Sequence, residues 1–175
     1  MSLLKELVPP LSRVAVMFDT GNPAGLSEFA QVQQAAPQLG IHVQPVAVAS
    51  RDDLEGALNA AIVDGPEALM TAATGTVIQD GQREIIDFAN LHRLPTIFGS
   101  GWAEAGALMS YGPDQLMLHR RVAYYVDRIL RGTRPADLPV ELPTTFDLEL
   151  NQTTMRRLGI SIPPDIAAQV TDWVQ

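Results

Sequence analysis

The sequence predicts an α/β fold: a doubly wound, mainly parallel sheet of five strands in the order 2-1-3-4-5, followed by a carboxy-terminal helix–strand–helix arm. Three observations predict it. Short apolar runs alternate with amphipathic helical stretches from Arg13 to Ser110. The connections between them are short and rich in Gly, Asn, Asp and Pro. After Ser110 the rhythm changes to one long helical pattern and a proline-rich connector. Residues 1–113 therefore read as one α/β lobe and 114–175 as an arm that packs on a second body.

Element by element, Val14-Ala15-Val16-Met17-Phe18 is apolar on both faces, as a buried parallel strand requires. Asp19-Thr20-Gly21-Asn22-Pro23 closes it, and a helix runs from there to Leu39, stopped by Gly40. Ile41–Val48 alternates as the second strand, and Pro45, which has no N–H for a ladder, places it at an edge or a bulge. A helix follows Ser50, with Leu54, Ala57, Leu58, Ala61 and Ile62 on one face. Glu67–Met70 is the third strand, a helix spans 78–92, and Leu94–Phe98 is the fourth strand. A short helix after Gly99-Ser100-Gly101-Trp102 leads to a fifth strand over Gly106–Ser110. The long helix, about 115–131, places Leu118, Val122, Tyr125, Val126 and Ile129 on one side. Prolines 135, 139 and 143 mark the extended connector; a strand over Phe146–Leu150 and two short helices complete the chain.

Composition excludes several classes. Twelve Lys and Arg against 20 Asp and Glu give the 175-residue chain a net charge of −8, which opposes nucleic acid and anionic membrane surfaces as partners. No cysteine is present, so thiolate catalysis, disulfides and Fe–S clusters are excluded. The single lysine, Lys5, lies in no motif, which excludes a phosphate-binding GxxxxGK[ST] loop and a lysine Schiff base. The first strand–helix turn lacks GxGxxG, Gly99-Ser100-Gly101 is no GxSxG elbow, and His42, His92 and His119 have no metal-ligand spacing. No catalytic constellation, metal site or cofactor is expected. No apolar stretch is long enough to span a bilayer, and the amino end lacks the pattern of a signal peptide.

In an open parallel sheet, ligands sit beyond the carboxyl ends of the strands. The loops there nominate Asp19, Thr20, Gly21, Asn22, Thr74, Thr76, Ser100, Trp102, Ser110 and Tyr111 as a crevice for a small polar ligand. Asp19 reads either as a solvated loop acid or as a partner for a ligand ammonium. Asn22 reads as a helix cap that also meets ligand, Trp102 as core or stacking wall, and Tyr111 as a hydroxyl shown to the crevice.

Several blocks ring together: Lys5-Glu6-Leu7-Val8-Pro9, Leu94-Pro95-Thr96-Ile97, Leu108-Met109-Ser110-Tyr111-Gly112-Pro113, and Pro135-Ala136-Asp137-Leu138-Pro139-Val140-Glu141. With them the chain resembles the substrate-binding proteins of ABC transporters, of the type that includes bacterial tryptophan- and tyrosine-binding members. The resemblance implies a lobe like those of type I periplasmic binding proteins, reversible capture of an amino-acid-like metabolite, delivery to an ABC permease, an extracytoplasmic location and no catalysis. It covers the second half of the family pattern, which implies that the arm returns towards an absent amino-terminal lobe and makes dimerisation through the arm an expectation. The family's Asn-Pro-x-Asn-Pro-type loop is matched at Asn22-Pro23 alone, and Asp19 in place of Asn favours an amine or hydroxyl ligand over an acid. Two other readings remain: a stand-alone ligand-sensing domain acting through a protein partner, and a small enzyme on a flavodoxin-like sheet.

Overall fold

A computed structural model describes residues 1–73 and 75–175. The chain runs α1 (Ser2–Leu7), β1 (Arg13–Asp19), α2 (Pro23–Ala35), β2 (His42–Val48), α3 (Leu54–Ala61) and β3 (Ala68–Thr71). It continues through α4 (Thr76–Asp80), α5 (Gln82–Leu91), β4 (Thr96–Phe98), β5 (Met109–Pro113) and α6 (Gln115–Leu130). The last elements are β6 (Phe146–Asn151), α7 (Gln152–Leu158), α8 (Pro164–Ala167) and β7 (Asp172–Val174).

The sheet has seven strands in the order β2-β1-β3-β4-β5-β6-β7. Its first five stand in the order expected, all parallel, with β2 and its Pro45 at one edge. Successive β1 residues point to opposite faces. Val14, Val16 and Phe18 enter a layer with Leu4, Leu7 and Phe29, whereas Ala15 and Met17 enter one with Leu54, Leu58, Ile85 and Ile86. Burial on both faces is what the unbroken apolar run encodes.

The sheet itself requires a correction: it has seven strands, not five. β6 pairs antiparallel with β5, Tyr111 opposite Leu148 and Pro113 opposite Phe146, and β7 pairs parallel with β6. Residues 114–175 thus divide in two. The part from Phe146 completes the sheet, while α6 and the connector behind it stand outside, α6 burying no residue fully. This excursion is pinned at its base, where the Asp114 N–H donates to the Thr145 carbonyl at 3.0 Å.

Three local expectations also change. The helix expected over 78–92 breaks into α4 and α5 at Gly81, whose φ of −88° and ψ of 3° leave the helical region; Leu54 packs so close there that a Cβ would lie 2.4 Å from its Cδ2. Residues 99–106 form turns rather than a helix, since Gly101 and Gly106 hold φ of +82° and +108°, outside the helical region. The fifth strand starts at Met109, not Gly106: the Leu108 N–H is taken by Thr96 Oγ1 at 2.8 Å instead of by a neighbouring strand.

Trp102 is 1% exposed and tilted against Phe98 at a centroid distance of 4.6 Å, so it fills the layer under the sheet. Trp102→Ala is expected to cost about 3–5 kcal/mol in urea unfolding; a cost below about 1 kcal/mol would contradict its placement as a core residue.

Candidate functional site

A cleft of about 550 Å³ opens beyond the carboxyl ends of β3 and β4 and along β5. Its floor comes from strand ends and the turns that follow: Met70 and Thr71 from β3, Ile97, Phe98, Gly99 and Ser100 from β4 and its turn. One wall is β5 and the start of α6, with Tyr111, Gly112, Pro113 and Gln115; Phe146 of β6 continues it. Met1, Glu28 of α2 and Ala73 complete the lining.

The antiparallel register explains the aromatic part of that wall. Residues diagonal across a ladder share a face. Tyr111 and Phe146 are such a pair, and their rings stack at 5.6 Å with 11° between planes. Both remain nearly half exposed, 45% and 43%, unusual for two large rings already in contact. Gly112, next to Tyr111 in β5, lets the strand approach the turn after β4 closely: a Cβ there would lie 2.2 Å from Ser100 Oγ and 3.2 Å from Ser100 N. Ser100 Oγ in turn donates towards the Pro113 carbonyl at 3.4 Å.

Of the nominated residues, Ser100 and Tyr111 line this cleft. Asn22 stands behind it, its Oδ1 capping α2 at Ala24 N–H (3.1 Å) and its Nδ2 donating to the carbonyl of the lining residue Ala73 (3.3 Å). Asp19 is 6% exposed and organises its own loop. Its Oδ1 accepts the Gly21 N–H at 2.8 Å, and its Oδ2 lies against Gly75, where a Cβ would come within 2.2 Å. Of its two readings, ammonium partner or loop acid, this geometry favours the loop-forming one, with the carboxylate buried rather than solvated. Thr20 donates to the Val48 carbonyl at 3.3 Å at the β1–β2 end of the sheet, away from the cleft lining. Thr76 is exposed at the start of α4 and does not line the cleft either. Thr74 lies outside the described residues.

Two nominated residues are sealed in. Trp102 belongs to the core, as described above. Ser110 is fully buried and its Oγ accepts the Ala103 N–H at 2.6 Å, which fixes the turn leading into β5. Strand alternation is the cause: Tyr111 faces the cleft, so Ser110 before it faces away.

The lining is largely apolar. Glu28 is its one charged side chain among the described residues, and its Oε2 accepts the Ala73 N–H at 2.9 Å. Glu28 and Phe146 escaped the sequence reading. Glu28 looks like any solvated helix acid, and Phe146 reaches the cleft only through a strand pairing across 32 residues of excursion, residues 114–145, that no local pattern specifies.

A second, larger concavity, about 950 Å³, lies between α6 and the segment 139–145. The Arg121 guanidinium joins the two: it pairs with both oxygens of Glu141, stacks 4.1 Å over the Tyr124 ring, and holds the Glu141 carboxyl below its usual pKa. Tyr125 donates to the Pro139 carbonyl at 2.7 Å. Around this clasp Val122, Val126, Val140 and Leu142 stay open to water, the last two 98% and 83% exposed.

A family model described as ABC transporter substrate binding protein matches residues 1–174. The chain belongs to the ABC transporter substrate-binding protein family. No curated protein sequence matches it significantly. Among solved structures, it is similar to a conserved domain protein from Vibrio cholerae O1 biovar eltor, at 26% identity and a TM-score of 0.88, over 98% of this chain and 58% of that one. It is similar in fold to the ABC domain in complex with L-Trp from Streptococcus pneumonia, at 21% identity and 0.89, over 99% and 60% of the two chains. A ligand-free, open substrate binding protein with adhesive properties from Clostridium difficile gives 20% and 0.75, over 99% and 58%. The chain thus spans about three fifths of the length of these structures. No described helix is long and apolar enough to cross a membrane.

Gly112→Ala is expected to destabilise the chain by about 1–3 kcal/mol, because the new methyl meets Ser100. Adding Ser100→Gly should recover most of that loss in a double-mutant cycle followed by urea unfolding. A double variant no more stable than Gly112→Ala alone would show that the close approach does not shape this rim.

Proposed function

We propose that this chain is the ligand-facing lobe of an extracytoplasmic solute-binding component of an ABC uptake system, capturing an amino-acid-like metabolite reversibly. The observation that carries the reading is the open cleft at the carboxyl edge of the sheet, where Tyr111 and Phe146 present a stacked, half-exposed aromatic wall. A flat apolar body packs on such a wall, and strand-end carbonyls and amides hold its polar groups. Family membership and the L-Trp bound to one structural neighbour support the same ligand class. Delivery to a permease partner follows from the family role, with no bond made or broken.

The uncovered face of α6 and its strap fits a two-lobed arrangement. Val122, Val126 and Leu142 have the exposure of an interface waiting for its other half, and the Arg121–Glu141 clasp keeps the two sides of that concavity in register. In this reading the second lobe both covers α6 and closes the open side of the cleft.

A thermal-shift and calorimetric titration of the chain with aromatic and aliphatic amino acids tests the proposal. Ligand binding to the folded state is expected to raise Tm for the aromatic set. With one lobe supplying the contacts, Kd should be weaker than about 1 µM, and the ligand should be recovered unchanged. Submicromolar affinity, or chemical conversion of the ligand, would contradict it.

A further inference from the structure

We propose that Glu28 selects the charge of the ligand, receiving a primary ammonium group carried by a flat, apolar body. The proposal rests on the cleft being the ligand site. Three observations lead to it.

Glu28 is the one charged side chain among the described residues that line the cleft, and no arginine, lysine or histidine side chain lines it. Among the described lining side chains, a cation therefore finds a charged partner and an anion finds none. Second, the carboxylate is held at one oxygen and open at the other. Oε2 accepts the Ala73 N–H at 2.9 Å, which fixes the group against the turn after β3, while Oε1 has no hydrogen-bond partner among the described residues. A carboxylate oriented by one backbone donor retains its acceptor capacity for a charge-assisted bond. Third, Asp19, the acid that the sequence offers for this task, is 6% exposed, accepts the Gly21 N–H at one oxygen and lies against Gly75 at the other, whereas Glu28 is exposed. The Tyr111–Phe146 wall in the same cleft supplies the surface for the rest of the ligand.

Glu28→Gln separates charge from structure, because the amide oxygen can still accept the Ala73 N–H. Three probes sharing one ring system report on it by calorimetric titration of the whole chain: tryptamine (ammonium only), L-tryptophan (ammonium and carboxylate) and indole-3-propionate (carboxylate only). With native Tm retained, the variant is expected to lose about tenfold or more in affinity for tryptamine and L-tryptophan, and to bind indole-3-propionate as well as the native chain or better. Equal losses for all three probes, or undiminished binding of tryptamine, would overturn the assignment of Glu28 while leaving the cleft in place. A native chain that takes up none of the three would overturn the cleft reading itself and this inference with it.

Discussion

The antiparallel pairing of β6 with β5 is the contact on which the remaining architecture turns. Met109–Pro113 would otherwise be the exposed edge of a five-stranded sheet, with a row of unpaired backbone groups. Pairing with Phe146–Asn151 satisfies that row, and the same register sets Phe146 diagonal to Tyr111. It also fixes both feet of the excursion formed by α6 and its connector, since residues 114 and 145 meet at the end of the same ladder. One set of backbone hydrogen bonds thereby extends the sheet beyond β5, builds the aromatic wall of the cleft and anchors the base of the α6 excursion. The buried Asn151 at the far end of β6 reinforces it: its Nδ2 donates to the Ala103 carbonyl at 2.9 Å and its Oδ1 caps α7 at Thr154.

Polar side chains near the cleft divide by what they serve. Asp19, Asn22 and Ser110 satisfy backbone donors of the loops that shape the rim, so their groups are consumed by the fold. Glu28 and Ser100 keep capacity towards the opening. This division follows from burial: a carboxylate that is 6% exposed must be satisfied internally, whereas one at a cleft wall can exchange water for a ligand. The cleft lining is therefore largely apolar with few polar groups left open, the pattern of small-molecule pockets in general.

The sheet order and the buried strands were legible because the signal is local. Val14–Phe18 is apolar on both faces, Pro45 belongs on an edge strand, and Gly40, with φ of +62°, caps the 3-10 turn Ala36–Leu39 that follows α2. Tyr111 and Ser100 were legible from the rule that ligands meet strand ends. The sequence leaves Trp102 open between core and stacking wall and nominates Ser110 for the crevice, because loop membership does not tell which way a side chain turns; that depends on strand phase and on packing from across the sheet. Phe146 and Glu28 carried no local mark. The first depends on a long-range pairing, the second on α2 lying beside the turn after β3, and neither distance is encoded in neighbouring residues.

The central claim, that the carboxyl-edge cleft walled by Tyr111 and Phe146 is where ligand docks, is tested most directly by titrating an isotopically labelled chain with L-tryptophan and following backbone amide shifts. The account predicts concentration-dependent changes clustered at Ala73, Gly99, Ser100, Tyr111, Gly112 and Phe146, with the amides around Val48 and Thr76 unmoved. Changes confined to the α6 concavity, or spread evenly over the sheet with none at Tyr111 and Phe146, would contradict it.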